Sequence, residues 1–262
     1  MDLLREFFGY GGYQRTPEGA YSVPHLIFVA CFTVAAVGAA LLLGRRNRYR
    51  DMKTKNKVLI AAAILIDCAE IFKYIILITR SGSFSVMRVN LPLFLCNIQL
   101  IAIPVAAFAK GRIKEASLDF VLLFGFLSGI VGIIGAAQNF NAYPVLSFDN
   151  IQSAITHSVA LFCSIYIARS GMTSLKKKNI PIVTAILAFF IAAAFAANAL
   201  LDYNYMFLRS HDGTPYVLFY NMVGGNKILY PITVIAAFLL YMAVCYAVYY
   251  LFIAGRKRKD RK

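Results

Sequence analysis

The sequence predicts an all-α, polytopic membrane protein of seven transmembrane helices, with the N-terminus outside and the C-terminus cytoplasmic. Three observations predict it. The 262-residue chain is 60% hydrophobic and only 15% charged, where a soluble domain carries about 25% charge. Its apolar residues fall in long blocks rather than in amphipathic stripes. Its basic residues collect in alternate loops.

Crossing a bilayer as helix takes about 20 residues. Seven runs meet that length, at approximately 23–44, 57–79, 91–109, 117–137, 151–169, 180–201 and 228–254. Backbone polar groups find no water in lipid, so these runs are read as helices and not as open strands. The first run follows a stretch that carries Asp2, Glu6 and Glu18 beside Arg5 and Arg15. It has no basic n-region and continues too far for a cleavable signal peptide, so it counts as the first membrane helix. The expected organisation is one membrane domain over 1–262, with a short outer segment at 1–22 and a basic cytoplasmic tail at 255–262.

The formal net charge is +15. Seven Lys and Arg lie in 45–57, three more are Lys110, Arg112 and Lys114, then come Arg169 and Lys176 to Lys178, and six lie in the tail. The intervening loops hold only Arg80, Arg88, Arg209 and Lys227. The positive-inside rule places the rich loops in the cytoplasm. The charge is thereby read as topology and as attraction to anionic lipid at that face, and a nucleic-acid partner is not expected. The location expected is the plasma membrane, as a multi-pass protein.

None of the five cysteines forms a CxxC pair, and the three histidines are far apart. Neither a disulfide framework nor a metal site is expected, and no cofactor is implied. A retinal protein of this topology needs a Lys in the middle of the last helix, whereas Lys227 precedes it.

Polar groups inside the apolar runs carry the functional information, because they are costly in hydrocarbon. Asp67, Glu70 and Lys73 lie in the second run, Cys96 in the third and His157 in the fifth. At 1.5 Å per residue, Cys96 lies about 7–8 Å and His157 about 9 Å below the outer surface. Asn198, Asp202 and Asn204 at the end of the sixth run, and His25 at the start of the first, reach the same layer. Asp67, Glu70, Lys73 and Tyr74 fall within about 120° of helical arc, and Glu70 and Lys73 are spaced to pair. Gly125 and Gly129 form a GxxxG that Gly132 and Gly135 continue. Such a face lets membrane helices pack closely.

A thiol and an imidazole at one depth are the minimum set for acyl transfer. Cys96 would attack an ester, and His157 would take the thiol proton and return it to the leaving alcohol. Asn97, Asn198 or Asn204 could donate to the oxyanion. Two other readings stand beside this one. A buried Glu70–Lys73 pair could serve packing alone, or it could serve a transporter or a lipid- or solute-binding protein.

Several segments resemble those of the YwaF-type bacterial integral membrane proteins. LPLFLCNI is similar to their LPLHLC-type element, AYSVPHLIF to their FS..HL start and DYNYMFLR to their TNYMYL element, and the fifth run carries a His as theirs does. That family is in turn similar to the eukaryotic transmembrane-protein-164 acyltransferases. The resemblance implies a fatty acyl chain moved between membrane phospholipids through a thioester. It gives Cys96 the nucleophile role and His157 the histidine role, with supporting or pocket roles for His25, Asn204 and Tyr205. Phe94 stands where the bacterial family often has His, so that histidine's role does not transfer.

Overall fold

The computed structural model describes residues 2–135, 137–173 and 175–254. The basic tail at 255–262 lies outside the described residues. All regular structure among the described residues is helical. The chain divides into two compact units, Met1–Thr173 and Ser174–Lys262.

The first unit contains α1 (Asp2–Phe8), α2 (Val23–Asn47), α3 (Met52–Ser81), α4 (Gln99–Phe108), α5 (Gly111–Ile134), α6 (Ala137–Ala142) and α7 (Phe148–Ser170). Local chemistry sets their ends. The Ser22 hydroxyl caps α2 by accepting from the His25 N–H, with Pro24 in the first turn, and Ser147 caps α7 through the Asn150 N–H. Asp51 caps α3 by accepting from Thr54 at 3.3 Å, a bond that holds its carboxyl below the ordinary range. Gly82 and Gly171 end α3 and α7 in the left-handed region, which costs glycine nothing.

α7 is the central helix, and α2, α3 and α5 all pack on it. The glycine face of α5 explains the closest of these contacts. A Cβ at Gly129 would lie 2.6 Å from Leu161 Cβ, and one at Gly125 would lie 2.9 Å from the Ala160 carbonyl oxygen. Gly135, read as part of the same face, instead lies past the end of α5.

The charge-rich loops of this unit share one end. Asn47 donates to the Tyr166 hydroxyl, which donates to the Lys55 carbonyl, and Lys114 donates to Asn56 and to the last carbonyls of α4. The N-terminal segment is pinned to the opposite end. Arg80 reaches Asp149 with both terminal nitrogens, at 2.7 and 3.1 Å, and Tyr13 donates to the same carboxylate at 2.5 Å. Burial, then the bond to Asp149, push the Tyr13 phenol above its usual range. Glu18 accepts from the Val145 N–H, and the rings of Phe8, Phe72 and Phe148 meet edge to face or tilted.

The second unit contains α8 (Ile180–Leu201), α9 (Val217–Met222) and α10 (Leu229–Val248), the last continuing as a π-helical turn over Tyr249–Ala254.

Five helical stretches among the described residues are long and apolar enough to cross a membrane, at Val23–Asn47, Gly111–Ala142, Phe148–Ser170, Lys177–Leu201 and Leu229–Leu251. The two remaining expected runs differ for separate reasons. α3 has the length, but Asp67, Glu70 and Lys73 sit in its middle. The run at 91–109 is α-helical only over Gln99–Phe108. Pro92 lacks an N–H, so the chain starts with a tight Leu93-to-Leu91 turn and becomes helical through Asn97 and Ile98 bonding back to Phe94. Ten residues of α-helix span about 15 Å, half of a hydrocarbon core. The segment nevertheless runs along α3. Asn90 accepts from the Tyr74 hydroxyl and Ala107 accepts from Asn56, and those partners on α3 stand about 27 Å apart by helical rise.

Candidate functional site

Cys96 lies in the turn that enters α4, not inside a regular helix. Its depth therefore does not follow from 1.5 Å per residue, which overturns the arithmetic used for it above. The thiol is half-buried and donates to Asn97 Oδ1 at 3.4 Å. Its charged neighbours are Lys73 and Glu70.

That pair forms the polar centre of the unit. Lys73 Nζ stands 2.5 Å from Glu70 Oε1, with side chains only 15% and 7% exposed. Gln152 Nε2 donates to Glu70 Oε2 at 3.0 Å and also contacts Thr156 Oγ1 at 3.2 Å. Glu70 thus uses one oxygen toward α3 and the other toward α7. Asp67 is half-buried one turn away, with Glu70 as its charged neighbour. Tyr74 turns its hydroxyl to the Asn90 carbonyl.

His157 lies one residue past Thr156 and faces a different helix. Its ring presses against the backbone of α5 where a Cβ on Gly132 would lie 2.0 Å from both Cε1 and Nδ1. The ring hydrogen-bonds the backbone of Ser128. Nδ1 is buried and has no hydrogen-bond partner. A neutral imidazole that donates from one nitrogen keeps the other as an acceptor. The arrangement is thus an acceptor nitrogen packed against α5 in the notch of a missing side chain, with no hydrogen bond to Cys96.

Gly132→Ala is expected to destabilise the protein by about 1–3 kcal/mol, the usual cost of overpacking. Gly129→Ala meets Leu161 at comparable distance without touching the imidazole. Chemical denaturation of the two variants should show similar losses. Only Gly132→Ala should shift the His157 ring resonances in a ¹⁵N-histidine spectrum.

His25 is buried at the start of α2. It accepts the Tyr21 N–H at Nδ1, 2.7 Å away, and stacks on Phe140 at 3.8 Å between ring centroids. This is the work of a residue that fixes the entry to α2 against α6.

The other expected site residues belong to the second unit, where they build a loop. Asn198 and Tyr205 bond reciprocally: the Tyr205 N–H donates to Asn198 Oδ1 at 2.6 Å, and Asn198 Nδ2 donates to the Tyr205 carbonyl at 3.1 Å. Asn204 Nδ2 donates to Ser210 and to Asp212, while its Oδ1 accepts the Arg209 N–H. Asp202 pairs with Arg209 at 2.6 Å on the exposed surface. Asp202, Met206, Phe207 and Asp212 all have positive φ, so these bonds hold a backbone that L-residues rarely adopt. The amide hydrogens of Asn198 and Asn204 are engaged here.

Three site residues escaped the reading of the sequence. Gln152 and Thr156 precede His157 at i,i+4 spacing in an apolar run, a visible signal. Gln99 follows Cys96 by one turn, is wholly buried, and has no partner for either amide atom. Among the described residues, no group of three or more His, Cys, Asp or Glu could hold a metal ion.

The model of the TMEM164 family matches residues 20–249 of the chain. No curated protein matches. No solved structure matches.

Proposed function

Because this chain belongs to the TMEM164 family, we propose that it is a lipid acyltransferase or transacylase working through a thioester on Cys96. The observation that carries the reading is the unpartnered, buried Nδ1 of His157 in the Gly132 notch. A buried acceptor with no partner is expensive in a membrane, and a general base needs a free nitrogen.

In the first half-reaction the Cys96 sulfur attacks the acyl carbonyl of a phospholipid ester, while His157 takes the thiol proton. The tetrahedral intermediate collapses, the C–O bond breaks, and His157 returns the proton to the departing lysolipid alcohol. In the second half-reaction an acceptor hydroxyl attacks the thioester, losing its proton to His157; the C–S bond breaks, and His157 passes that proton to the departing sulfur to regenerate the thiol and the neutral imidazole. The Glu70–Lys73 pair beside the thiol tunes the charge that develops on sulfur, and Asn97, already bonded to the thiol, orients it.

We place this chemistry near the outer leaflet of a plasma membrane, in a chain that crosses seven times with its N-terminus outside. The separation of eleven Lys and Arg of the first unit to one end of its helices supports that orientation. An alkyne-tagged acyl donor should label the protein, with the label lost on hydroxylamine treatment. Labelling that persists unchanged in Cys96→Ala would remove Cys96 from the nucleophile role.

One observation favours a second reading, a transporter or solute-binding protein. The buried chain Lys73–Glu70–Gln152–Thr156 is the kind of polar path that moves ions or protons. Under that reading Glu70→Gln abolishes uptake and Cys96→Ser leaves it intact.

A further inference from the structure

α2 and α3 are joined by only the four residues 48–51, yet they lean on α7 rather than on each other. The space between them is a groove of about 510 Å³, within the usual range of ligand cavities of about 300–1,000 Å³. Phe32, Ala36 and Leu43 form one wall, Ala61 and Leu65 the other, and Val159 and Phe162 belong to its floor. Apart from Lys57 and Ser158, every lining residue is apolar.

We infer that this groove binds the acyl chain of an anionic phospholipid, with the lipid phosphate at Lys57. Two features decide the occupant. The groove is elongated: Lys57 and Leu65 are eight residues apart on α3, about 12 Å by helical rise, which suits an extended alkyl segment rather than a compact solute. Its charge is at one end. Lys57 is exposed, and it has no ion pair among the described residues. It lies in the second turn of α3, near the end of the unit where Arg45 and Arg46 of α2, Arg48 and Arg50 of the connection and Lys53 of α3 are also exposed. A zwitterionic headgroup would bring a second positive charge to this end, whereas an anionic one brings only the phosphate that a lysine binds. The site is separate from Cys96 and His157, and it stands whether or not the protein transfers acyl chains.

The chain contains no tryptophan, so Leu65→Trp installs a single fluorophore in the groove of the full-length protein. In mixed micelles, phosphatidylglycerol brominated along its chains should quench it at several-fold lower mole fraction than brominated phosphatidylcholine. Lys57→Gln should remove that difference. Ala61→Phe should abolish quenching by filling the groove, and Ala35→Leu on the facing wall serves if Ala61→Phe loses its helical circular dichroism. Equal quenching by the two lipids, or a preference that survives Lys57→Gln, would overturn the phosphate assignment. Quenching by free brominated fatty acid as strong as that by phosphatidylglycerol would overturn the phospholipid as ligand.

Discussion

His157→Gln is expected to lower the rate of acyl transfer by about 10²–10⁴-fold, the range that a positioned general base contributes. Glutamine keeps an amide able to bond Ser128 but offers no basic nitrogen. The substitution therefore separates proton transfer from packing. The loss should appear in kcat rather than KM, because the imidazole acts on the moving proton and not on substrate affinity. Single-turnover acylation of Cys96 should slow by the same factor, since the thiol must then ionise unaided. A rate within a few-fold of the parent protein would make His157 a packing residue. The comparison with Gly132→Ala is informative, because that change keeps the imidazole and moves it. The buried notch admits little freedom, and catalytic groups displaced by about 1 Å lose on the order of 10²-fold.

These residues also show where the sequence was legible. The helical ends at Ser22, Asp51, Ser147, Gly82 and Gly171 are set by caps that act within a turn, whereas run length alone placed the expected ends. The Glu70–Lys73 pair was legible because i,i+3 spacing on one helix fixes which side chains meet. The collection of the first unit's basic loops at one end was legible because charge and hydropathy alternate along that part of the chain. The glycine face of α5 was visible as a packing surface, but not as the seat of the imidazole. That contact joins residues 132 and 157 across two helices, and periodicity within one helix carries no information about it.

The segment at 91–98 failed for a related reason. Its hydropathy is that of a membrane helix, but Pro92 removes a donor and the following residues turn before they coil. Residues 91–97 are half-buried, while Ile98 and Gln99, where the helix begins, are wholly buried. Hydropathy registers the burial and not the geometry. Asn198, Asp202 and Asn204 were expected near a pocket because polar side chains lie close to a helix end. In the second unit Asn198 and Asn204 satisfy the backbone of a loop with several positive φ angles, and Asp202 pairs with the Arg209 side chain.

Glu70→Gln should destabilise the folded protein by about 3–5 kcal/mol, because it strands the Lys73 ammonium in a site from which water is largely excluded. Lys73 is 15% exposed at its side chain, and Gln152 presents an N–H rather than an oxygen to the carboxylate it would lose. The other carboxylate of this stretch, Asp67, stands six residues from Lys73 on α3 and makes no ion pair with it among the described residues. Lys73→Met should cost less than Glu70→Gln, since Glu70 retains its bond from Gln152. The double variant Glu70→Leu, Lys73→Met removes both charges at once, and replacements of that kind are often neutral or stabilising by about 1–4 kcal/mol. Thermal unfolding in detergent of the parent, Glu70→Leu, Lys73→Met and the double variant measures the coupling directly. Activity measured on the same four proteins then assigns the pair its purpose. If the double variant is stable and still transfers acyl chains, the pair is an architectural device that locks α3 to α7. If it is stable and acylates Cys96 slowly, the charges act on the thiol beside them. If it transfers acyl chains normally but loses transport of a solute, the polar chain from Lys73 to Thr156 is the path.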